Sequence, residues 1–130
     1  MKFLIVEDDP DTSESLTKFL EMNGHKGEGV KNPAEALVRI HQACITTEPF
    51  DLLVVDYYMP GINGVDLIRR IRQENICDHI PVMLLTAAGG YILDSIEEDL
   101  KELQPAKLFG KPVSPKVLLE QAERMVSSNS

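Results

Sequence analysis

The chain has 130 residues, 43% hydrophobic and 26% charged, the make-up of one globular unit able to bury about two-thirds of the surface its unfolded form exposes. A formal net charge of −8 sets the domain against the phosphates of nucleic acid and against anionic lipid, so neither direct nucleic-acid binding nor membrane binding is expected. No apolar run approaches the roughly 18 residues of a membrane span. The first apolar run, residues 3–6, meets Glu7, Asp8 and Asp9 at once, too soon for a secretory signal, and a cytoplasmic location is the expectation.

In chain order, Phe3-Leu4-Ile5-Val6 is the first strand-like run. Asp9-Pro10 then pairs a capping side chain with a proline pre-set for a first helical turn, and Leu16, Phe19 and Leu20 give that helix its apolar stripe. Residues 26–30 form a weak strand diluted by Gly27, Glu28 and Gly29. Asn32-Pro33, with Glu35 completing a capping box, opens a second helix with Ala36, Leu37 and Ile40 inward. Leu52-Leu53-Val54-Val55 and Val82-Met83-Leu84-Leu85 are apolar at every position, as strands of a parallel sheet covered on both faces must be. Between them, Leu67, Ile68 and Ile71 mark a third helix, and after them Ile92, Ile96 and Leu100 a fourth. A short strand at 107–109 and a helix begun by Ser114-Pro115, with Leu118, Leu119, Ala122 and Met125 inward, complete the order.

Cys44 and Cys77 fall in helix-like segments and read as small buried hydrophobes, with no disulfide framework implied. His25, His41 and His79 lack zinc-site spacing. The stretch Glu97-Glu98-Asp99 reads as a solvated helix face.

This order predicts an α/β fold: a single doubly wound, five-stranded parallel sheet, (βα)5, flavodoxin-like, with strand order 2-1-3-4-5 and the two weak strands at the edges. In such sheets function gathers at the carboxyl ends of the strands. There the sequence places Glu7, Asp8 and Asp9 after the first strand, Asp56 after the third, Thr86 after the fourth and Lys111 after the fifth. The first and third strands would lie about 4.8 Å apart, crowding Glu7, Asp8 and Asp56 around the switch point. Such a cluster calls for a cation, and carboxylate oxygens without imidazole or thiolate favour Mg²⁺, with Mn²⁺ able to substitute. Asp9 reads instead as the helix cap.

The acidic pair Glu7-Asp8, the run Val55-Asp56-Tyr57-Tyr58-Met59-Pro60-Gly61 with Gly64, then Leu85-Thr86-Ala87 and Lys111-Pro112 together resemble the receiver domain of two-component response regulators over essentially the whole chain. The resemblance implies a receiver domain at 1–126, and the terminal Ser127-Ser128-Asn129-Ser130 reads by itself as a frayed tail at 127–130. It implies that Asp56 accepts a phosphoryl group from a phosphohistidine of a sensor histidine kinase or phosphotransfer protein. Asp8, Asp56 and the Tyr58 carbonyl would hold Mg²⁺, with Glu7 acting through bound water. Thr86 and Lys111 would meet charge on the phosphoryl group. A cis Lys111-Pro112 bond would aim the lysine. Such a domain catalyses its own phosphorylation and slow dephosphorylation and is not a turnover enzyme. Phosphorylation would bias a pre-existing equilibrium on a face made of the fourth helix, fifth strand and fifth helix, which meets a downstream target or output domain and leaves a phosphorylation-dependent homodimer open.

Three features depart from the family pattern. Leu108 stands where an aromatic residue is usual, and Phe109 cannot replace it because neighbouring strand residues face opposite ways. Gly89-Gly90 loosens the start of the fourth helix. Tyr58 is bulky and Ala88 offers no group to orient water, which together imply a long-lived acyl phosphate. Competing readings are a phosphorylation-independent interaction module, a Mg²⁺-dependent phosphohydrolase and a flavin binder. Tyr58, where the phosphohydrolase's second acid would be needed, argues against the second. Three carboxylates where a phosphate cradle would be needed argue against the third.

Overall fold

The computed structural model describes residues 1–46, 48–75 and 79–129, at 129 the backbone alone. Strands and helices alternate as β1 (Lys2–Val6), α1 (Pro10–Met22), β2 (Lys26–Val30), α2 (Pro33–Cys44), β3 (Leu52–Asp56), α3 (Gly64–Gln73), β4 (Val82–Thr86), α4 (Gly90–Leu100), β5 (Ala106–Gly110) and α5 (Pro115–Asn129). The strands form one parallel sheet in the order β2-β1-β3-β4-β5, the flavodoxin-like arrangement expected from the apolar central runs.

The all-apolar strands divide their side chains between two cores. Leu4, Val6, Leu53, Val55, Val82 and Leu84 pack with α2, α3 and α4, while Phe3, Ile5, Leu52, Val54 and Met83 pack with α1 and α5. This alternation is the period-two pleat with both faces covered. The edge strand β2 tolerates its glycines because α1 lies close: a Cβ on Gly29 would come within 2.3 Å of Ser13 Oγ, and one on Gly27 within 3.3 Å of Thr17.

Helix starts follow the capping chemistry. Asp9 accepts from the Asp11 N–H, Asn32 from the Glu35 N–H at 2.9 Å and Ser114 Oγ from the Val117 N–H at 3.2 Å. The capping box on α2 is modified, since the Glu35 carboxylate accepts from the Lys31 N–H at 3.1 Å rather than reaching back to Asn32. α5 continues through Asn129, over three of the four residues expected to fray.

Two expectations are corrected. Ile92, assigned to the core stripe of α4, is 46% exposed. The helix begins at Gly90, so Ile92 falls in a first turn beyond the packed part, and Leu93, Ile96 and Leu100 form the inward stripe. Cys44 is half-buried at the end of α2 but is disulfide-bonded rather than a plain thiol, and Cys77 lies outside the described residues.

Candidate functional site at the carboxyl edge of the sheet

The site is built from backbone ends that continue the sheet's hydrogen bonding past the strands. The Glu7 N–H donates to Val30 O at 3.0 Å, the Tyr57 N–H to Leu85 O at 2.8 Å and the Lys111 N–H to Thr86 O at 2.8 Å. These bonds fix where β1, β3 and β5 release their next residues. Asp56 ends β3 opposite Leu85, and Thr86 ends β4 opposite Gly110. The acids after β1 and the lysine after β5 therefore converge on one rim.

Carboxylate oxygens of Glu7, Asp8 and Asp56 lie within 4.8 Å of one another, with Glu7 and Asp56 buried and Asp8 exposed. Lys111 Nζ stands 2.9 Å from Asp56 Oδ1 and 3.5 Å from Glu7 Oε1. Burial, reinforced by the neighbouring Asp56 and opposed by Lys111, lifts the Glu7 carboxyl to about 7. Burial works against the Lys111 charge, but its bonds to Asp56 and Glu7 outweigh it and raise its pKa above the usual lysine value. Two buried acids thus share one ammonium, an arrangement short of positive charge at neutral pH. An all-oxygen set of this kind suits a hard divalent cation.

Asp9 stands apart from this cluster. The Thr12 hydroxyl, followed by backbone N–H groups of the first turn, holds its carboxyl below the usual range, as a cap should be held. Thr86 is buried, and its hydroxyl accepts from the Ala88 N–H at 2.9 Å, so in this state it is committed to the turn before α4. Tyr58 is half-exposed, its ring edge-on to that of Tyr57 with centroids 4.9 Å apart.

The loop after Asp56 is pinned at Gly64, whose N–H donates to Tyr57 O at 2.9 Å. A Cβ there would meet Leu84 Cδ1 at 2.6 Å and Asp56 O at 2.9 Å. Asn63, outside the sequence expectations, accepts at Oδ1 from the Asp66 N–H at 2.9 Å and caps α3; an Asn just before an apolar-periodic segment is the signal for such a cap. Arg69, likewise unexpected, reaches Asp66 on its own helix at 3.2 Å and Asp99 of α4 at 3.8 Å.

Beside Lys111 a groove of about 490 Å³ runs between α1 and the start of α5, walled by Leu16, Pro112, Val113, Pro115 and Leu118. No helix among the described residues is long and apolar enough to cross a membrane.

The family model of the response regulator receiver domain matches residues 3–123. The chain is 30% identical over 127 residues to the phosphate regulon transcriptional regulatory protein PhoB of Pseudomonas aeruginosa, covering 95% of this chain and 50% of that protein. It is also 30% identical over 125 residues to the response regulator receiver protein CpdR of Brucella abortus, covering 96% of each. The chain thus spans half of one such relative and nearly all of the other. The Francisella response regulator 1452 receiver domain superposes with a TM-score of 0.82 at 26% identity, covering 99% of this chain and 98% of that one.

Proposed function

The chain belongs to the response-regulator receiver family, and from that premise we propose that Asp56 accepts a phosphoryl group from a histidine kinase or phosphotransfer protein in the cytoplasm. The observation that carries this reading is the placement of the Asp56 carboxylate beside the Lys111 ammonium and within 4.8 Å of the other two acids. A carboxylate nucleophile in such a cluster must approach an anionic donor, and positive charge at the rim is what permits it.

Asp8, Asp56 and the Tyr58 carbonyl would hold Mg²⁺, with Glu7 behind them. When bound, the ion supplies positive charge that the cluster lacks. Asp56 is the nucleophile: its oxygen bonds to phosphorus as the donor's bond to phosphorus breaks, leaving an acyl phosphate on the carboxyl and the imidazole on the donor. Lys111 gives up its bond to Asp56 Oδ1 to meet the phosphoryl oxygens, and the Thr86 hydroxyl, which accepts from the Ala88 N–H, leaves it and donates a hydrogen bond to a phosphoryl oxygen. The apolar groove next to Lys111 gives a donor protein a surface to rest on. The moved threonine would reset the start of α4, so that α4, β5 and α5 carry the output.

The test is to incubate the protein with a small phosphodonor and Mg²⁺ and to compare it with Asp56→Asn by intact mass. A lasting adduct that Asp56→Asn abolishes is the expected result. Donor turnover without an adduct would indicate a phosphohydrolase. No reaction would leave a phosphorylation-independent interaction module, the reading that Leu108 favours.

A further inference from the structure

The outward face of α4 combines an exposed apolar pair with a run of acids. Tyr91 is 93% exposed and Ile92 46% exposed, side by side at the start. Neither Gly89 nor Gly90 would place a Cβ within 4 Å of anything, so the space before the two apolar side chains is clear. Behind them the helix carries Asp94, Glu97, Glu98 and Asp99 and no lysine or arginine between Gly90 and Leu100. Tyr91, Asp94, Ser95 and Glu98 fall at the spacing that puts residues on one strip, and all four are exposed.

Internal neutralisation of these acids is partial. Asp99 reaches Arg69 at 3.8 Å and Glu98 bonds Lys101 at 2.8 Å, while Asp94 and Glu97 form no salt bridge among the described residues. Glu97, Glu98 and Asp99 occupy the last turn, where their charge adds to the negative end of the helix dipole. That placement is unfavourable for the isolated helix and concentrates negative potential beside an exposed aromatic ring.

We propose that the Tyr91–Glu98 strip docks a basic segment of a partner protein, an amphipathic helix that seats an aliphatic side chain against Tyr91 and Ile92 and lays lysines or arginines along Asp94, Glu97 and Glu98. This rests on the reading of α4 as part of the output face and adds the chemistry of what meets it. A second copy placed with α4 against α4 would set acid against acid.

The test uses synthetic amphipathic helices of about 15 residues with one leucine face and a polar face of lysine or of glutamate, titrated into ¹⁵N-labelled protein. A third peptide keeps the lysines and replaces the leucines by serine. The lysine-leucine peptide is expected to shift the amides of Tyr91, Ile92, Asp94, Ser95 and Glu98 and to bind about tenfold more tightly than either of the other two. Tyr91→Ser, and separately Asp94→Lys with Glu97→Lys, should each weaken it about tenfold, while Glu21→Lys on α1 should leave it unchanged. Shifts spread over the acidic surface, or an equal loss in Glu21→Lys, would overturn the proposal. So would sedimentation showing a dimer that Tyr91→Ser dissociates, because the strip would then belong to a second copy. Formation of the Asp56 adduct without peptide binding at α4 would sink the docking proposal alone. Peptide binding without an adduct would uphold it and sink the phosphoryl-acceptor reading.

Discussion

Lys111 Nζ lies 2.9 Å from Asp56 Oδ1 and 3.5 Å from Glu7 Oε1, so one ammonium serves both buried acids of the rim. The same ammonium is the positive charge nearest the oxygen that would attack phosphorus. Lys111→Met should slow Asp56 phosphorylation about 100-fold, the scale for losing one charge-stabilising donor, and Lys111→Arg should recover part of the rate. Single-turnover adduct formation followed by intact mass measures both. Equal rates in the methionine variant and the parent would remove Lys111 from the chemistry.

Glu7 gives the stability of the fold a definite pH dependence. Its carboxyl titrates near 7 in the folded chain against an ordinary value of 4.5. Below about 4.5 it is protonated in both states and contributes nothing. Between about 4.5 and 7 the unfolded chain sheds the proton that the folded chain keeps, so stability falls as pH rises, and above about 7 the loss is complete. Glu7→Gln should therefore match the parent near pH 4.5 and exceed it by roughly 1–2 kcal/mol at pH 8, allowing for solvent screening at the open rim. Because a cation must displace that proton, Mg²⁺ affinity of the parent should also rise from pH 6 to pH 8. Urea titrations of both proteins across this range, with and without Mg²⁺, check the sign. A stability difference that stays constant with pH would contradict the assignment.

The hydroxyl of Thr86 and the side chain of Leu108 bear on how the signal leaves the site. Thr86→Ala takes away the acceptor of the Ala88 N–H but not the nucleophile. The Asp56 adduct should still form, while amide shift changes across α4 on phosphorylation should be lost. Leu108 pairs with Leu84 and packs on the α2–α3–α4 side, whereas Phe109 pairs with Leu85 and packs on the α1–α5 side. The available ring therefore lies on the opposite face from the leucine. Leu108→Tyr should enlarge the α4 response to phosphorylation, read by the same amide shifts, and no change would mean the chain transmits without an aromatic at 108.

What the sequence made legible follows from the strength of each local signal. Four-residue apolar runs admit few arrangements besides central strands covered on both faces, and three cap-proline pairs left little freedom in where α1, α2 and α5 begin. The convergence of Glu7, Asp8, Asp56 and Lys111 followed from strand order, because each lies at or just past the carboxyl end of its strand. The exposure of Ile92 could not be read, since periodicity gives the phase of a helix but not the turn at which packing starts. The return bond of Glu35 to Lys31 rather than Asn32 depends on a rotamer, which spacing does not specify. The disulfide at Cys44 is not legible in the sequence, because it depends on tertiary proximity that cysteine spacing does not reveal.

Arg72 was invisible for the same reason, and it carries a sharp stability prediction. At the end of α3 its guanidinium donates to Ile80 O at 2.8 Å and to Leu103 O and Pro105 O at 3.1 Å each. It thereby ties α3 to the segments entering β4 and β5, at the opposite end of the sheet from Asp56. Burial depresses its pKa, and Nη1 is buried without an acceptor among the described residues. Arg72→Met would leave three carbonyls without their charged donor, a loss of about 2–4 kcal/mol in urea unfolding. Arg72→Lys should recover little, because a single ammonium does not reproduce the planar fork that spans the three acceptors. Both variants should form the Asp56 adduct at the parental rate while folded, since the fork lies across the sheet from the chemistry. Full stability in Arg72→Lys would show that charge, rather than the geometry of the fork, holds these segments together.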